Sequence, residues 1–174
     1  MFILILVSET MKTKDRIIEG AIDLFNQRGF SNVSMQRLAD HLGLSPGNLT
    51  YHFPKKQDLM LALYDEFQKE ILQINPTNRT QKPDLIQIDQ QIDAFHQFQQ
   101  RFLFFYLDIL EIERAYPQIA RKHQTHIKGQ IGALQQSLEH NKDLGFLHQP
   151  GEPFTFWDLA EQLWFTAVFW HRRL

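Results

Sequence analysis

Residues 34–59 read SMQRLADHLGLSPGNLTYHFPKKQDL, and the fold can be inferred outward from them. Ser34 and Ser45 each stand directly before a short helical pattern, where a hydroxyl side chain caps a helix. Pro46 occupies the first position of the second pattern, where its missing N–H costs nothing, and Gly43 ends the first pattern. The stretch therefore predicts two short helices joined by a tight turn, the outline of a helix-turn-helix motif.

Helical periodicity continues on both sides of this motif. Residues 12–28 predict a first helix, which Gly29 ends, and Pro54 stops the second short helix. Residues 57–74 predict a long helix, after which a polar, proline-containing linker is expected over 75–84. Further helices are predicted over 85 to about 116, over 118–140 and over 154–174, with a turn-rich connection over 145–153.

Composition and charge indicate a globular protein without disulfides. Hydrophobic residues make up 43% of the chain, and it contains no cysteine. Residues 12–56 carry seven Lys or Arg against four Asp or Glu, whereas residues 57–114 carry five against ten. A basic head on an acidic body is typical of a phosphate-binding module joined to a second domain, although differences of this size also arise by chance.

No targeting or membrane segment is predicted. The apolar run at residues 2–7 is too short for a signal peptide, and no stretch reaches about 18 uninterrupted apolar residues. We therefore expect a cytoplasmic protein with no membrane partner, and we expect residues 1–10 to be a non-native or disordered extension ahead of a functional start at Met11.

The second short helix carries the residues best suited to contact DNA. Leu49 and Phe53 lie four positions apart and are predicted to face inward. The opposite side carries Gly47, Asn48, Tyr51 and His52. An asparagine there could pair with adenine, and polar side chains could hold phosphates. By itself a Tyr-His-Phe run is more often core packing, but the flanking cap, proline and lysine pair favour contact with DNA.

At these residues the chain resembles the tetracycline-repressor (TetR-like) family. Residues 44–59, LSPGNLTYHFPKKQDL, resemble the family's recognition helix, with a small-residue start, L-x-Y-H-F, a turn and K-x-x-L. Residues 18–30, IEGAIDLFNQRGF, resemble its first helix, and residues 34–43, SMQRLADHLG, resemble its second. The resemblance covers about residues 14–63 of the 174.

The resemblance implies which residues contact DNA. Ser34 would cap the second helix beside the DNA backbone, and Gln36 or Arg37 would reach phosphate. Thr50 replaces an aromatic residue found in many members, so its contact would be shorter, and Pro46 removes a lysine contact seen in some relatives. The remaining contacts to bases and phosphates would come from Ser45, Pro46, Gly47, Asn48, Tyr51, His52 and Lys56.

Together, pattern and resemblance predict an all-α fold, with an N-terminal three-helix DNA-binding module followed by a helical ligand-binding and dimerisation domain. The expected boundaries are 1–10 for the extension, 11–56 for the helix-turn-helix domain, 57–74 for a connecting helix and 75–174 for the effector-binding and dimerisation domain. The resemblance further implies a homodimer on a pseudo-palindromic operator in double-stranded DNA. An apolar or amphipathic small molecule would be the effector, and no cofactor or metal is expected.

Aromatic residues crowd the second half of the chain, and two interpretations of them stay open. The stripe Phe95, Phe98, Phe102, Phe105 and Tyr106 is either plain core or an effector pocket. His123 and His126 are either surface histidines or, less favoured, a metal pair.

The final predicted helix is apolar nearly all round, so more than one of its sides must be covered. We expect a symmetry mate to cover one side, in a dimer interface through Leu159, Leu163, Trp164, Ala167 and Trp170.

A ligand-responsive repressor is therefore the leading hypothesis. A transcriptional activator or a ligand-independent regulator of the same fold is the alternative. An enzyme is a remote third, because no nucleophile–base motif, carboxylate pattern or Gly-rich phosphate loop supports one.

Overall fold

The computed structural model describes the backbone of residues 2–74 and 85–169, and the side chains of residues 13–74, 90 and 92–169. The described residues form helices joined by turns, with no strand among them, which confirms the all-α prediction for this part of the chain. The helices are α1 (Phe2–Arg28), α2 (Met35–Leu42), α3 (Pro46–His52), α4 (Lys56–Ile74), α5 (Leu85–Arg101), α6 (Leu103–Ala115), α7 (Pro117–Asp143) and α8 (Phe156–Phe169).

The helices fall into two compact units, and their division differs from the predicted boundary at residue 75. The first unit contains α1 to α6, and the second contains α7 and α8. Helices α5 and α6 belong with the N-terminal helices because both pack on α1, and α5 also packs on α4. The predicted linker over 75–84 lies outside the described residues.

The first helix begins earlier than expected. Helix α1 runs from Phe2 to Arg28 without a break, so residues 2–10, expected to be a non-native or disordered extension, are part of this helix. Their sequence FILILVSET contains no proline or glycine, and nothing in it stops a helix from extending.

The predicted helix ends of the helix-turn-helix motif are confirmed. Ser34 Oγ accepts a hydrogen bond from the backbone N–H of Arg37, and Ser45 Oγ accepts one from Asn48. Gly43 ends α2 with φ of 65°, a left-handed conformation that costs a residue with a Cβ about 1–2 kcal/mol. These caps set the lengths of α2 and α3 and hence the angle of the turn between them.

The core of the first unit is aromatic and centres on Phe67 of α4. Its ring centroid lies 4.9 Å from that of Phe98, 5.5 Å from Phe102 and 5.4 Å from Phe105. Each ring pair adds about 0.5–1.5 kcal/mol beyond the burial of its area. Rings from α4, α5 and α6 therefore hold these three helices together.

A single helix was predicted over 85 to about 116, but the structure breaks it at Phe102, between α5 and α6. The side chain of Asn26 on α1 reaches into this break. Its Nδ2 donates to the carbonyl oxygen of Arg101 at 2.8 Å, and its Oδ1 accepts from the backbone N–H of Phe104 at 2.9 Å. Backbone groups that a break leaves without helical partners are thus satisfied by a residue distant in sequence, which no local pattern reveals.

The second unit is a pair of packed helices. Ile119 and Ile131 of α7 and Phe156 and Ala160 of α8 are buried. Thr155 precedes α8 and caps it: its Oγ1 accepts from the backbone N–H of Asp158 at 3.2 Å, while the Asp158 carboxylate accepts from the Thr155 N–H at 2.7 Å. This reciprocal cap starts α8 two residues later than predicted.

Candidate nucleic-acid interface

Helices α2 and α3 are joined by a tight turn and fixed to the rest of the unit by buried leucines. The backbone N–H of Leu44 donates to the carbonyl oxygen of Ala39 at 2.9 Å, which closes the turn after Gly43. Leu38 of α2 is fully buried and Leu49 of α3 is 1% exposed. The two helices therefore have the geometry of a helix-turn-helix, with α3 in the position of the recognition helix.

Helix α3 divides its residues between core and surface as predicted. Leu49 and Phe53 are buried, whereas Tyr51 is 76% exposed and its ring packs edge-on against that of His52 at 5.2 Å. His52 is half-buried. The other predicted contact residues on this face are all exposed: Ser45, Pro46, Gly47, Asn48 and Thr50. The structure thus brings these residues together on one open surface.

The hydroxyl of Thr50 is turned to its own helix. Thr50 Oγ1 lies 2.9 Å from the carbonyl oxygen of Pro46 and 3.2 Å from that of Gly47, and its one proton donates to these carbonyls. The hydroxyl of Thr50 therefore has no proton left to donate outside the helix, although its oxygen can still accept a hydrogen bond.

The predicted contacts of α2 are exposed and locally bonded. Gln36 Nε2 donates to the carboxylate of Asp40 at 2.8 Å, and the guanidinium of Arg37 donates to the carbonyl oxygen of Asn32. Ser34, Gln36 and Arg37 all lie on the surface at the start of α2. An exposed guanidinium has five N–H donors, so Arg37 keeps donors beyond this bond.

Lys56, predicted to hold phosphate, contacts the loop before α2 in the structure. Its ammonium group is half-buried, donates to the carbonyl oxygen of Phe30 at 2.8 Å and lies 4.0 Å from the centroid of the Phe30 ring. Burial lowers the pKa of Lys56, and the nearby Glu111 opposes that shift. In this arrangement the charge faces the protein, whereas the neighbouring Lys55 is exposed.

Sequence analysis missed Lys14. This exposed lysine of α1 lies with its Nζ 5.7 Å from the centroid of the Phe53 ring, at the end of α3. Its position in an amphipathic helix gave no sign of this contact, because the two residues are distant in sequence and only the tertiary structure brings them together.

The aromatic stripe of α5 and α6 is largely core. Phe98, Phe102 and Phe105 are each no more than 3% exposed and pack on Phe67 and on one another. Phe95 and Tyr106 are half-buried, and burial raises the pKa of Tyr106. The three buried rings are therefore part of the hydrophobic core, and the two half-buried residues lie at the edge of the aromatic cluster.

The predicted dimer residues lie on α8 with mixed exposure. Leu163 is 44% exposed and Ala167 is exposed, while Leu159 and Trp164 are half-buried. Trp170 lies outside the described residues. No described helix is both long and apolar enough to cross a membrane.

Known proteins similar to this chain agree with the geometry. A family model described as "Bacterial regulatory proteins, tetR family" matches residues 17–63, and one described as "Bacterial transcriptional repressor" matches residues 66–174. The solved structure of a TetR-family transcriptional regulator from Marinobacter aquaeolei VT8 has a TM-score of 0.83 at 22% identity, over 93% of this chain and 79% of that one.

Two curated relatives are similar in sequence. The probable HTH-type transcriptional regulator YttP of Bacillus subtilis is 42% identical over 57 residues, which are 33% of this chain and 28% of that protein. IcaR of Staphylococcus aureus, the negative transcriptional regulator of the biofilm operon icaADBC, is 29% identical over 132 residues, 72% of this chain and 64% of that protein. The matches thus span less than two thirds of each relative.

The matches confirm the resemblance found in residues 14–63 and extend it through the remaining helices. Since the matched models cover residues 17–63 and 66–174, this chain belongs to the tetR family of bacterial regulatory proteins.

Proposed function

We propose that this protein is a transcriptional repressor that binds double-stranded DNA through α3. The observation that carries the proposal is the division of this helix, with Leu49 and Phe53 buried and Tyr51 76% exposed beside Asn48 and Gly47. The exposed ring of Tyr51 stands on the surface of α3 that also carries Asn48 and Gly47, so it is available to contact a partner. A major groove admits one α-helix, and a polar helix with a glycine near its start can approach base edges closely.

Positively charged side chains surround α3, as expected for a protein that binds DNA. Lys14, Arg37 and Lys55 are exposed on α1, α2 and the turn before α4. Residues 12–56, which include all three, carry the basic excess of the chain. Such cations displace counterions from DNA and supply affinity without sequence preference, while Asn48 would supply base preference. The match to a repressor model and the similarity to a negative regulator favour repression over activation.

A homodimer would present two such helices to a pseudo-palindromic operator. One recognition helix contacts a half-site, and half-sites lie about 34 Å apart along the duplex. The second unit exposes large apolar side chains, which a second copy would cover. These are Leu144, Phe146, Leu147, Phe154, Trp157, Leu163, Phe165 and Phe169.

An apolar or amphipathic effector would act at the aromatic cluster of α4, α5 and α6. Phe95 and Tyr106 at its edge are half-buried, so a ligand entering there would contact Phe98 and Phe67 next. Binding would favour an arrangement of these helices with a different orientation of α4, the helix that connects the cluster to α3. Mass spectrometry of small molecules released from the purified protein by denaturation tests this step. Finding none, with no change in DNA binding after refolding, would favour the ligand-independent alternative.

Selection from a pool of random duplexes tests the function itself. The protein should enrich a motif with two inverted half-sites one helical turn apart, and a mobility-shift titration should show affinity for that motif at least about a thousandfold above that for a scrambled duplex. Enrichment of no motif over many rounds would contradict sequence-specific DNA binding. Enrichment of a single half-site would contradict binding as a symmetric dimer.

A further inference from the structure

The loop of residues 29–32, between α1 and the cap of α2, is held from several directions. Gly29 starts it with φ of 76°, and the next residue, Phe30, has both backbone polar groups bonded to side chains from elsewhere in the chain. Its N–H donates to Asp108 Oδ2 at 2.7 Å, and its carbonyl oxygen accepts from Lys56 Nζ at 2.8 Å. A residue bonded at both ends cannot shift without breaking a charge-assisted hydrogen bond.

The anchors on α6 are two carboxylates one turn apart. Asp108 accepts from Phe30, and Glu111 accepts from the hydroxyl of Ser31. Residues three apart lie on one face of a helix, so α6 turns this face to the loop. The bond of Asp108 is partly buried, where water competes less for the carboxylate.

The loop in turn holds the start of α2. The guanidinium of Arg37, in the first turn of α2, donates to the carbonyl oxygen of Asn32. Val33 is 1% exposed, and the next residue is the cap Ser34. A displacement of the loop would therefore move the first turn of α2 and, through the turn at Gly43, the recognition helix.

Helix α1, which precedes the loop, is itself bonded to neighbouring helices. Arg101, at the break between α5 and α6, pairs through both terminal nitrogens with Glu19 of α1 at 2.6 and 2.8 Å. Its Nε donates to Glu70 of α4 at 3.0 Å. With Asn26 also bonded into the break, α1 is tied at two points to the junction of α5 and α6, and the 29–32 loop follows directly after α1.

We propose that Asp108 and Glu111 are positioning residues for DNA recognition: from α6 they hold the 29–32 loop and thereby set the orientation of α2 and α3. Neither side chain touches DNA in this role. The inference rests on the proposed DNA binding and deepens it. Helix α4 is joined to α3 directly along the chain, and the contact of α6 with the 29–32 loop is a second route by which the position of α6 affects the recognition helix.

Four variants test the proposal on duplexes obtained by selection with the wild-type protein. Asp108→Ala removes the acceptor of Phe30, and Asp108→Asn keeps an acceptor oxygen at the same place. Ser31→Ala removes the donor to Glu111 at an exposed position where folding is not at risk. Asp93→Ala, at an exposed carboxylate of α5, is the matched control.

Specific and non-specific affinity separate positioning from a loss of fold. Asp108→Ala should weaken binding to the selected duplex at least about tenfold and binding to a scrambled duplex by less than about twofold, because phosphate contacts tolerate a tilted helix better than base contacts do. Asp108→Asn should restore most of the specific affinity, Ser31→Ala should lose about threefold, and Asp93→Ala should lose none. Equal losses on both duplexes would mean a merely structural role and overturn the proposal.

Amide hydrogen exchange supplies a readout that needs no DNA. In Asp108→Ala the amides of residues 30–37 should exchange faster, while those in the middle of α1 stay as in the wild type. Unchanged exchange in the loop and the first turn of α2 would overturn the inference. If the wild-type protein selects no duplex, the proposed function fails first; if it selects one and Asp108→Ala binds it equally well, only the positioning role fails.

Discussion

The ammonium nitrogen of Lys56 lies 2.8 Å from the carbonyl oxygen of Phe30 and 4.0 Å from the centroid of its ring. This contact joins the first residue of α4 to the loop that precedes α2, across 26 residues of sequence. Lys56 is predicted to hold phosphate, and in the structure its ammonium group is bonded to the loop before α2. The assignment has a direct experimental test.

Replacing Lys56 by alanine should lower the free energy of unfolding by about 1–3 kcal/mol, because a partly buried hydrogen bond and a cation–π contact are lost. The salt dependence of DNA binding should stay nearly unchanged. Denaturant unfolding and affinity at several salt concentrations measure the two effects. Lys55→Ala, at the exposed neighbour, is the control and should leave stability unaltered. A salt slope reduced by about one unit with stability intact would show instead that Lys56 contacts phosphate.

Two glycines of the motif should respond to alanine in opposite ways. Gly43 has φ of 65°, so Gly43→Ala should destabilise the protein by about 1–2 kcal/mol. Gly47 lies in α3 without a positive φ, and a Cβ there meets nothing within 4 Å, so Gly47→Ala should fold at least as well as the wild type. Its added methyl group should nevertheless weaken DNA binding, because it projects from the face that approaches the duplex. Undiminished affinity of Gly47→Ala would place the DNA on another surface.

Asn48 and Tyr51 should make separable contributions to binding. Tyr51→Ala should weaken binding to all duplexes about equally, since an exposed tyrosine contacts the backbone. Asn48→Ala should relax the preferred base at one position of each half-site, at a cost of about 1–3 kcal/mol in discrimination. Repeating the selection with each variant measures both. A motif of unchanged stringency from Asn48→Ala would remove this residue from base recognition.

Charge on the exposed sides of α8 should prevent dimer formation. Leu163 is 44% exposed and Phe165 is 51% exposed, so Leu163→Glu with Phe165→Glu should fold, whereas Trp164 is half-buried and a charge there also threatens the fold. Analytical ultracentrifugation should find a monomer that retains only non-specific DNA affinity. Gln136→Glu, at an exposed position of α7, is the control. A dimeric double variant with full specific affinity would exclude both positions from the interface.

Acid should destabilise the protein through His123. Burial, with a smaller contribution from His126, lowers the pKa of His123 from 6.5 to about 4. Between these two pH values the unfolded chain binds a proton at His123 and the folded chain does not. The free energy of unfolding is therefore highest above pH 6.5 and falls as the pH drops towards 4, by about 3 kcal/mol. Unfolding of the wild type and of His123→Gln across this range should show a shallower fall in the variant. Parallel curves would mean that His123 does not titrate in this way.

Much of the local structure followed from residues close in sequence. Ser34 and Ser45 cap helices, Gly43 adopts a left-handed turn, and Leu49 and Phe53 face the core, each for reasons that involve only the next few residues. The exposed face of α3 could be predicted on the same grounds, because burying two positions four apart leaves the opposite side of a helix exposed.

Tertiary structure decided the features that depend on groups distant in the chain. The break at Phe102 requires the side chain of Asn26, the inward turn of Lys56 requires the carbonyl oxygen of Phe30, and the anchoring of the 29–32 loop requires Asp108 from α6. Periodicity and capping rules describe contacts within a few residues, so they are silent on such pairings. Sequence alone therefore determined which helices form and which face of α3 is exposed, whereas only the packing of α6 and α4 against the loop decided what holds that face in place.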